Sequence, residues 1–144
     1  MRSIRGLAVV IATVLTVMGC AASPAADEPK PFRLDKTCLP DVGCTIVASD
    51  LDAIPVGTVI TYTPIGDGSI RQQNATFVVE NGSASGFCDF NHDGKPLAAQ
   101  CTFLSGTGEL TGFHLVADVT ITGDPNSQDP PAVWHWEGTY WFGD

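Results

Sequence analysis

Phe113-His114-Leu115-Val116-Ala117-Asp118-Val119-Thr120-Ile121-Thr122 decides the fold class. Phe113, Leu115, Ala117, Val119 and Ile121 fall on one face, with His114, Asp118, Thr120 and Thr122 on the other. Side chains of a strand alternate between faces, so this period of two reads as a strand with one apolar side. Val133 to Phe142 repeats the pattern. There Trp134, Trp136, Tyr140 and Phe142 share a face opposite His135, Glu137, Thr139 and Trp141.

Earlier segments read the same way. Val56 to Ile65 is rich in Val, Ile, Thr and Tyr and ends at Gly66-Asp67-Gly68. Ala75 to Glu80 precedes Asn81-Gly82, a hairpin signal because both turn residues must tolerate positive φ. Ser85 to Phe90 and Ala99 to Leu104 flank a polar loop. No window carries a long 3.6-residue period. The 15 Gly, the 10 Pro and a charged fraction of 16% oppose a helical bundle. The prediction is an all-β domain, either a sandwich or a closed antiparallel barrel. Closure would leave no exposed strand edges.

The first residues are an address. Arg2 and Arg5 precede an uncharged apolar run from Leu7 to Gly19. A helix over that run spans about 20 Å, short of a hydrocarbon core of about 30 Å. A basic start followed by a short apolar run reads as a secretory signal. Val17-Met18-Gly19-Cys20-Ala21 resembles a bacterial lipoprotein signal, in which the cysteine becomes the lipid-bearing first residue. The expected division is a signal peptide over 1–19, a lipidated Cys20 with a Pro- and Ala-rich tether over 20–31, and a domain over 32–144. The alternatives are ordinary secretion with cleavage between Ala21 and Ala26, or an uncleaved anchor.

Charge narrows the partners. The chain has 16 acidic residues against 7 basic ones, a net of −9. Removing residues 1–19 takes away Arg2 and Arg5 and no acid, leaving 16 acids, 5 bases and a net of −11. Nucleic acid is excluded, because phosphate binding needs clustered Lys and Arg. An acidic domain does not adhere to an anionic membrane by charge. Attachment therefore rests on the lipid, on the outer face of the cell membrane, with more than one acyl chain for stable anchoring.

With Cys20 assigned to lipid, Cys38, Cys44, Cys88 and Cys101 remain. Four cysteines of an exported chain allow three disulfide pairings. Cys38–Cys44 with Cys88–Cys101 is the preferred one: the first closes a small loop and the second joins the strands flanking the polar loop. The spacings do not match a zinc site.

Two glycine-containing stretches frame the last third of the chain. Ser105-Gly106-Thr107-Gly108-Glu109-Leu110-Thr111-Gly112 precedes the alternating strand, and Trp134-His135-Trp136-Glu137-Gly138-Thr139-Tyr140-Trp141-Phe142 ends the chain. Together they resemble the allene oxide cyclase and dirigent-like barrel superfamily, including small exported actinobacterial lipoprotein-type members. The resemblance covers residues 99–142, extends loosely over 45–98 and leaves out 21–44. It implies an eight-stranded antiparallel barrel whose mouth or interior holds a small apolar ligand. The cyclase pocket residues and the dirigent catalytic acids have no matching positions here, so only the fold carries over.

Candidate sites follow from the residues. Asp89-Phe90-Asn91-His92-Asp93-Gly94 matches the start of a calcium loop, with Asp89, Asn91 and Asp93 as ligands. The twelfth position is Gln100 instead of a bidentate acid, and the other reading is a solvated hairpin tip. Gly106 to Gly112 has neither the spacing nor the following helix of a phosphate loop. His135 and Glu137 share a strand face and read as a surface pair. Trp134, Trp136, Tyr140 and Phe142 serve as core or as ligand lining. No nucleophile elbow occurs. The expected function is a non-catalytic envelope lipoprotein binding a small apolar or amphipathic ligand or an envelope partner, with no cofactor beyond a structural calcium. The alternatives are a cyclase or isomerase that encloses a reactive apolar intermediate, and a purely structural envelope protein.

Overall fold

A computed structural model of the chain describes residues 27–39, 43–66, 69–90 and 99–143. Eight strands follow one another: β1 (Lys30–Leu39), β2 (Gly43–Ser49), β3 (Val59–Ile65), β4 (Ser69–Val79), β5 (Gly82–Phe90), β6 (Ala99–Gly108), β7 (Phe113–Thr122) and β8 (Val133–Phe142). Each pairs antiparallel with the next, and β1 pairs with β8, so the sheet closes into a barrel. The described residues contain no helix.

The alternation read from β7 and β8 sets the barrel's inside and outside. Phe113, Leu115, Ala117 and Val119 are buried, as is Trp136. Phe77 and Phe103 stack at 4.7 Å, and Trp136 tilts against both at 5.8 and 6.3 Å. These three rings fill the middle of the barrel.

Two strands were not legible in the sequence. β1 reads as polar because it holds Lys30, Arg33, Asp35 and Lys36, yet Phe32, Leu34 and Lys36 all point inward and are buried. Its inner face is an alternation with lysine in one apolar slot. β1 also begins before Phe32, the expected start of the domain. Lys30 and Pro31 pair with Tyr140 and Thr139, and the Asp27 N–H donates to the Phe142 carbonyl at 2.8 Å. Pro31 is tolerated because pairing with β2 starts only at Leu34, so its missing N–H breaks no ladder bond on that side. Along β2 the register slips between the pairs Asp35↔Ala48 and Lys36↔Ile46, leaving Val47 as the extra residue of a bulge.

The hairpin expected at Asn81-Gly82 turns one residue earlier. Val79 pairs with Gly82, and Glu80 and Asn81 form the link. Glycine is needed at the 106–112 turn. Gly108 and Gly112 have φ of 60° and 73°, in the left-handed region. The turn tucks Leu110, fully buried, into the barrel.

The barrel's two ends differ. One holds the start of β1, the end of β8, and the links after β2, β4 and β6. Leu51, Ile54 and Leu110 from those links are buried in the core there. At the other end β1, β3, β5 and β7 finish and β2, β4, β6 and β8 begin. We call them the tether end and the far end.

Candidate functional site

β1 carries Lys36 into the barrel near the far end. The side chain is 2% exposed, in a wall otherwise apolar. Its Nζ lies 4.4 Å from the centre of the Tyr62 ring, 5.0 Å from Trp134 and 5.9 Å from Trp136. Phe90 closes the ring of aromatics, edge-on to Tyr62 at 5.8 Å and to Trp134 at 6.3 Å. The electron-rich faces of the rings attract an ammonium.

Those faces do not replace the hydrogen bonds that water would make. Nζ has three N–H donors, and the atoms in its range are the disulfide sulfurs of Cys38 at 3.4 Å and Cys44 at 3.8 Å, both weak acceptors. Among the described residues no carboxylate pairs with it. Burial lowers the Lys36 pKa from 10.5 to about 7, because the desolvated charge is disfavoured. About half of the amine is therefore neutral near pH 7. The Tyr62 hydroxyl is buried without a hydrogen-bond partner, and burial pushes its pKa upward, so it stays a neutral donor. Trp136 Nε1 is likewise buried and unpartnered. Among the described residues these buried donors of Lys36, Tyr62 and Trp136 have no strong acceptor facing them.

The expected residues fall in different places. Cys38 is bonded to Cys44 and Cys88 to Cys101, each across directly paired strand positions. The first bridge forms part of the far-end rim, while Cys88 and Cys101 are fully buried. Trp134, Trp136, Tyr140 and Phe142 do share the inner face, but they do not line one site. Trp134 stands over Lys36, Trp136 fills the middle, and Tyr140 and Phe142 pack on Phe113 at the tether end. Eight residues of strand, about 26 Å, separate the first from the last.

Of the calcium-loop residues, Asn91 and Asp93 lie outside the described residues, as does Cys20. Asp89 faces Arg71 at 3.8 Å, and Gln100 donates to Asp118 at 3.2 Å. Among the described residues no group of three His, Cys, Asp or Glu could hold a metal ion.

His135 and Glu137 do not pair with each other. Glu137 meets Arg33 at 3.2 Å. His135 Nδ1 donates to Asp35 at 2.7 Å, and its Nε2 lies 2.8 Å from the Thr122 hydroxyl. This Asp–His–Thr chain crosses β1, β8 and β7 on the outer face, where these partners are half-buried or exposed. It borders an open groove of about 610 Å³ lined by Asp35, Ala48, Asp50, His135 and Glu137. The three side chains act as a cross-strand brace.

Lys36, Tyr62 and Phe90 are not legible as a site in the sequence, because they lie on three strands that only closure brings together. One signal was present: Lys36 occupies the inward slot between Leu34 and Cys38.

No protein-family model, curated protein or solved structure matches this chain at a significant level.

Proposed function

We propose that this chain is an exported lipoprotein of the bacterial cell envelope, anchored through lipid on Cys20, whose barrel binds a small apolar or amphipathic ligand at the far end. The observation that carries the binding reading is Lys36 buried against the rings of Tyr62, Trp134 and Trp136. A purely structural barrel gains nothing from a lysine inside that no carboxylate of the described residues pairs with, because desolvating an amine costs free energy that an aliphatic side chain would not. Such a residue is retained where it meets a ligand.

Export is consistent with the two disulfides. The anchor rests on Val17-Met18-Gly19-Cys20. β1 runs from the tether end to Lys36, so lipid on Cys20 would hold the tether end toward the membrane and present the far end away from it. Membership of the allene oxide cyclase and dirigent-like superfamily belongs to the same proposal, supported by the eight-stranded closed meander and the glycine turn before β7.

Two measurements test the reading. Mass analysis of the membrane fraction is expected to find a diacylated chain starting at Cys20, and Cys20→Ser moves the protein to the soluble fraction. An unmodified Cys20 defeats the anchor. Benzyl alcohol is expected to change the fluorescence of Trp134 and Trp136 saturably. Absence of a saturable change leaves the structural reading. A second reading, a cyclase or isomerase, draws on the same amine, since a group titrating near pH 7 exchanges protons readily. Conversion of a bound apolar ligand, lost in Lys36→Met, would select it.

A further inference from the structure

Lys36 differs from an ordinary buried lysine in three ways. Among the described residues it has no carboxylate partner, its surroundings are aromatic, and an unpartnered hydroxyl lies on the nearest of the aromatic side chains. An amine in water at neutral pH is protonated and cannot attack an electrophile. Removing it from water without an anion favours the free base, whose nitrogen lone pair is nucleophilic. A carboxylate within reach would have restored the ammonium form and removed that reactivity. The rings of Tyr62, Trp134 and Trp136 offer apolar faces to a molecule that brings one polar atom to the amine. The Tyr62 hydroxyl supplies a donor that only an incoming acceptor can satisfy.

We propose that Lys36 is a covalent capture site for apolar aldehydes or ketones, aromatic ones in particular, which it binds as an imine. The inference rests on the far end of the barrel being a ligand site. The neutral Nζ adds to the carbonyl carbon, forming a C–N bond as the carbonyl π pair moves to oxygen. The oxygen then leaves as water, taking both amine hydrogens with it, and the C=N bond remains. No oxidant or reductant enters, and hydrolysis releases the carbonyl compound unchanged. The carbonyl oxygen accepts from the Tyr62 hydroxyl as it enters. The ligand enters along the barrel axis, past Cys38, Cys44, Phe90 and Trp134, which are only partly buried.

The chain has three lysines, Lys30, Lys36 and Lys95, which makes selectivity readable. The folded protein is treated with benzaldehyde and cyanoborohydride at pH 7, and the reduced adduct is located by peptide mapping. Lys36 is expected to carry at least roughly ten times the adduct of Lys30 or Lys95, because burial without a paired anion favours its nucleophilic free base. Tyr62→Phe, which keeps the ring, is expected to slow labelling several-fold. Excess benzyl alcohol, which fits the same place but forms no imine, is expected to protect Lys36 and leave Lys30 unchanged. Lys36→Met removes the dominant adduct, and the protection arm stands without it should that variant fail to fold. Equal labelling of the three lysines, with benzyl alcohol still changing the Trp fluorescence, overturns imine capture and leaves the ligand site standing. Equal labelling with no effect of benzyl alcohol overturns both.

Discussion

The Lys36 amine lies 4.4 Å from the centre of the Tyr62 ring, although β1 and β3 are not hydrogen-bonded neighbours. Their contact crosses the barrel's interior, so both titratable groups sit where water does not reach them. Burial lowers the pKa of Lys36 to about 7 and raises that of Tyr62.

Stability should therefore depend on pH with a definite sign. Between about pH 7 and 10 the unfolded chain keeps the Lys36 proton and the folded chain loses it. Stability then rises with pH, on the order of 1 kcal/mol per pH unit at most. Above pH 10 the unfolded chain ionises Tyr62 while the folded chain does not, and stability falls. Asp35 and His135 project from the other face of their strands. The Cys38–Cys44 bridge does not titrate. Denaturant titrations of wild type and Lys36→Met across pH 6 to 10 isolate the amine. The variant is expected to be the more stable at pH 6, with the difference shrinking as pH rises.

Cys88 and Cys101 are fully buried and join β5 to β6 across the polar loop. Replacing both with alanine is expected to cost about 3 kcal/mol on the chain-entropy account of a ring of that size. A lower urea midpoint with the barrel's circular dichroism retained is the expected result. Loss of Cys38–Cys44 should cost less, since its sequence separation is 6 against 13.

Gly138 is a position where a side chain has no room. A Cβ there would lie 1.9 Å from the Val116 carbonyl oxygen and 2.8 Å from the Ala117 Cα, both rigid backbone of β7. Gly138→Ala is expected to destabilise by roughly 3 kcal/mol or more, read from the thermal midpoint. Gly57→Ala, at a positive φ of 91° with open space around it, should cost only about 1 kcal/mol.

The Asp35–His135–Thr122 chain braces three strands on the outer face. Asp35→Ala is expected to cost about 1 kcal/mol, typical of a partly exposed charge-assisted bond. Thr122→Ala should cost less, because its hydroxyl can be replaced by water. Neither change should alter benzaldehyde labelling of Lys36, which lies inside the barrel.

The strand alternation of β7 and β8 was legible in the sequence because each strand has one wet face and one dry face. The turn glycines before β7 were legible because few residues tolerate positive φ. The cysteine pairs could be favoured, since each joins positions close in sequence. β1 escaped because strand periodicity is read through hydropathy, and its inner face contains a lysine. The aromatic stripe shows the opposite limit. Residue types suggested a shared site, while register sent Trp134 and Phe142 to opposite ends of one strand.

By itself, the chain's order of residues determined an acidic, all-β domain and favoured two local disulfides, because those properties depend on composition and near neighbours. Only the tertiary structure decided where chemistry could reside. Closure of β1 onto β8 turned the inner faces of separate strands toward one another. It packed Lys36, Tyr62, Phe90 and Trp134 together inside the barrel. A lysine's charge state depends on what surrounds it in three dimensions, and those surroundings come from four strands spread over about 100 residues of chain.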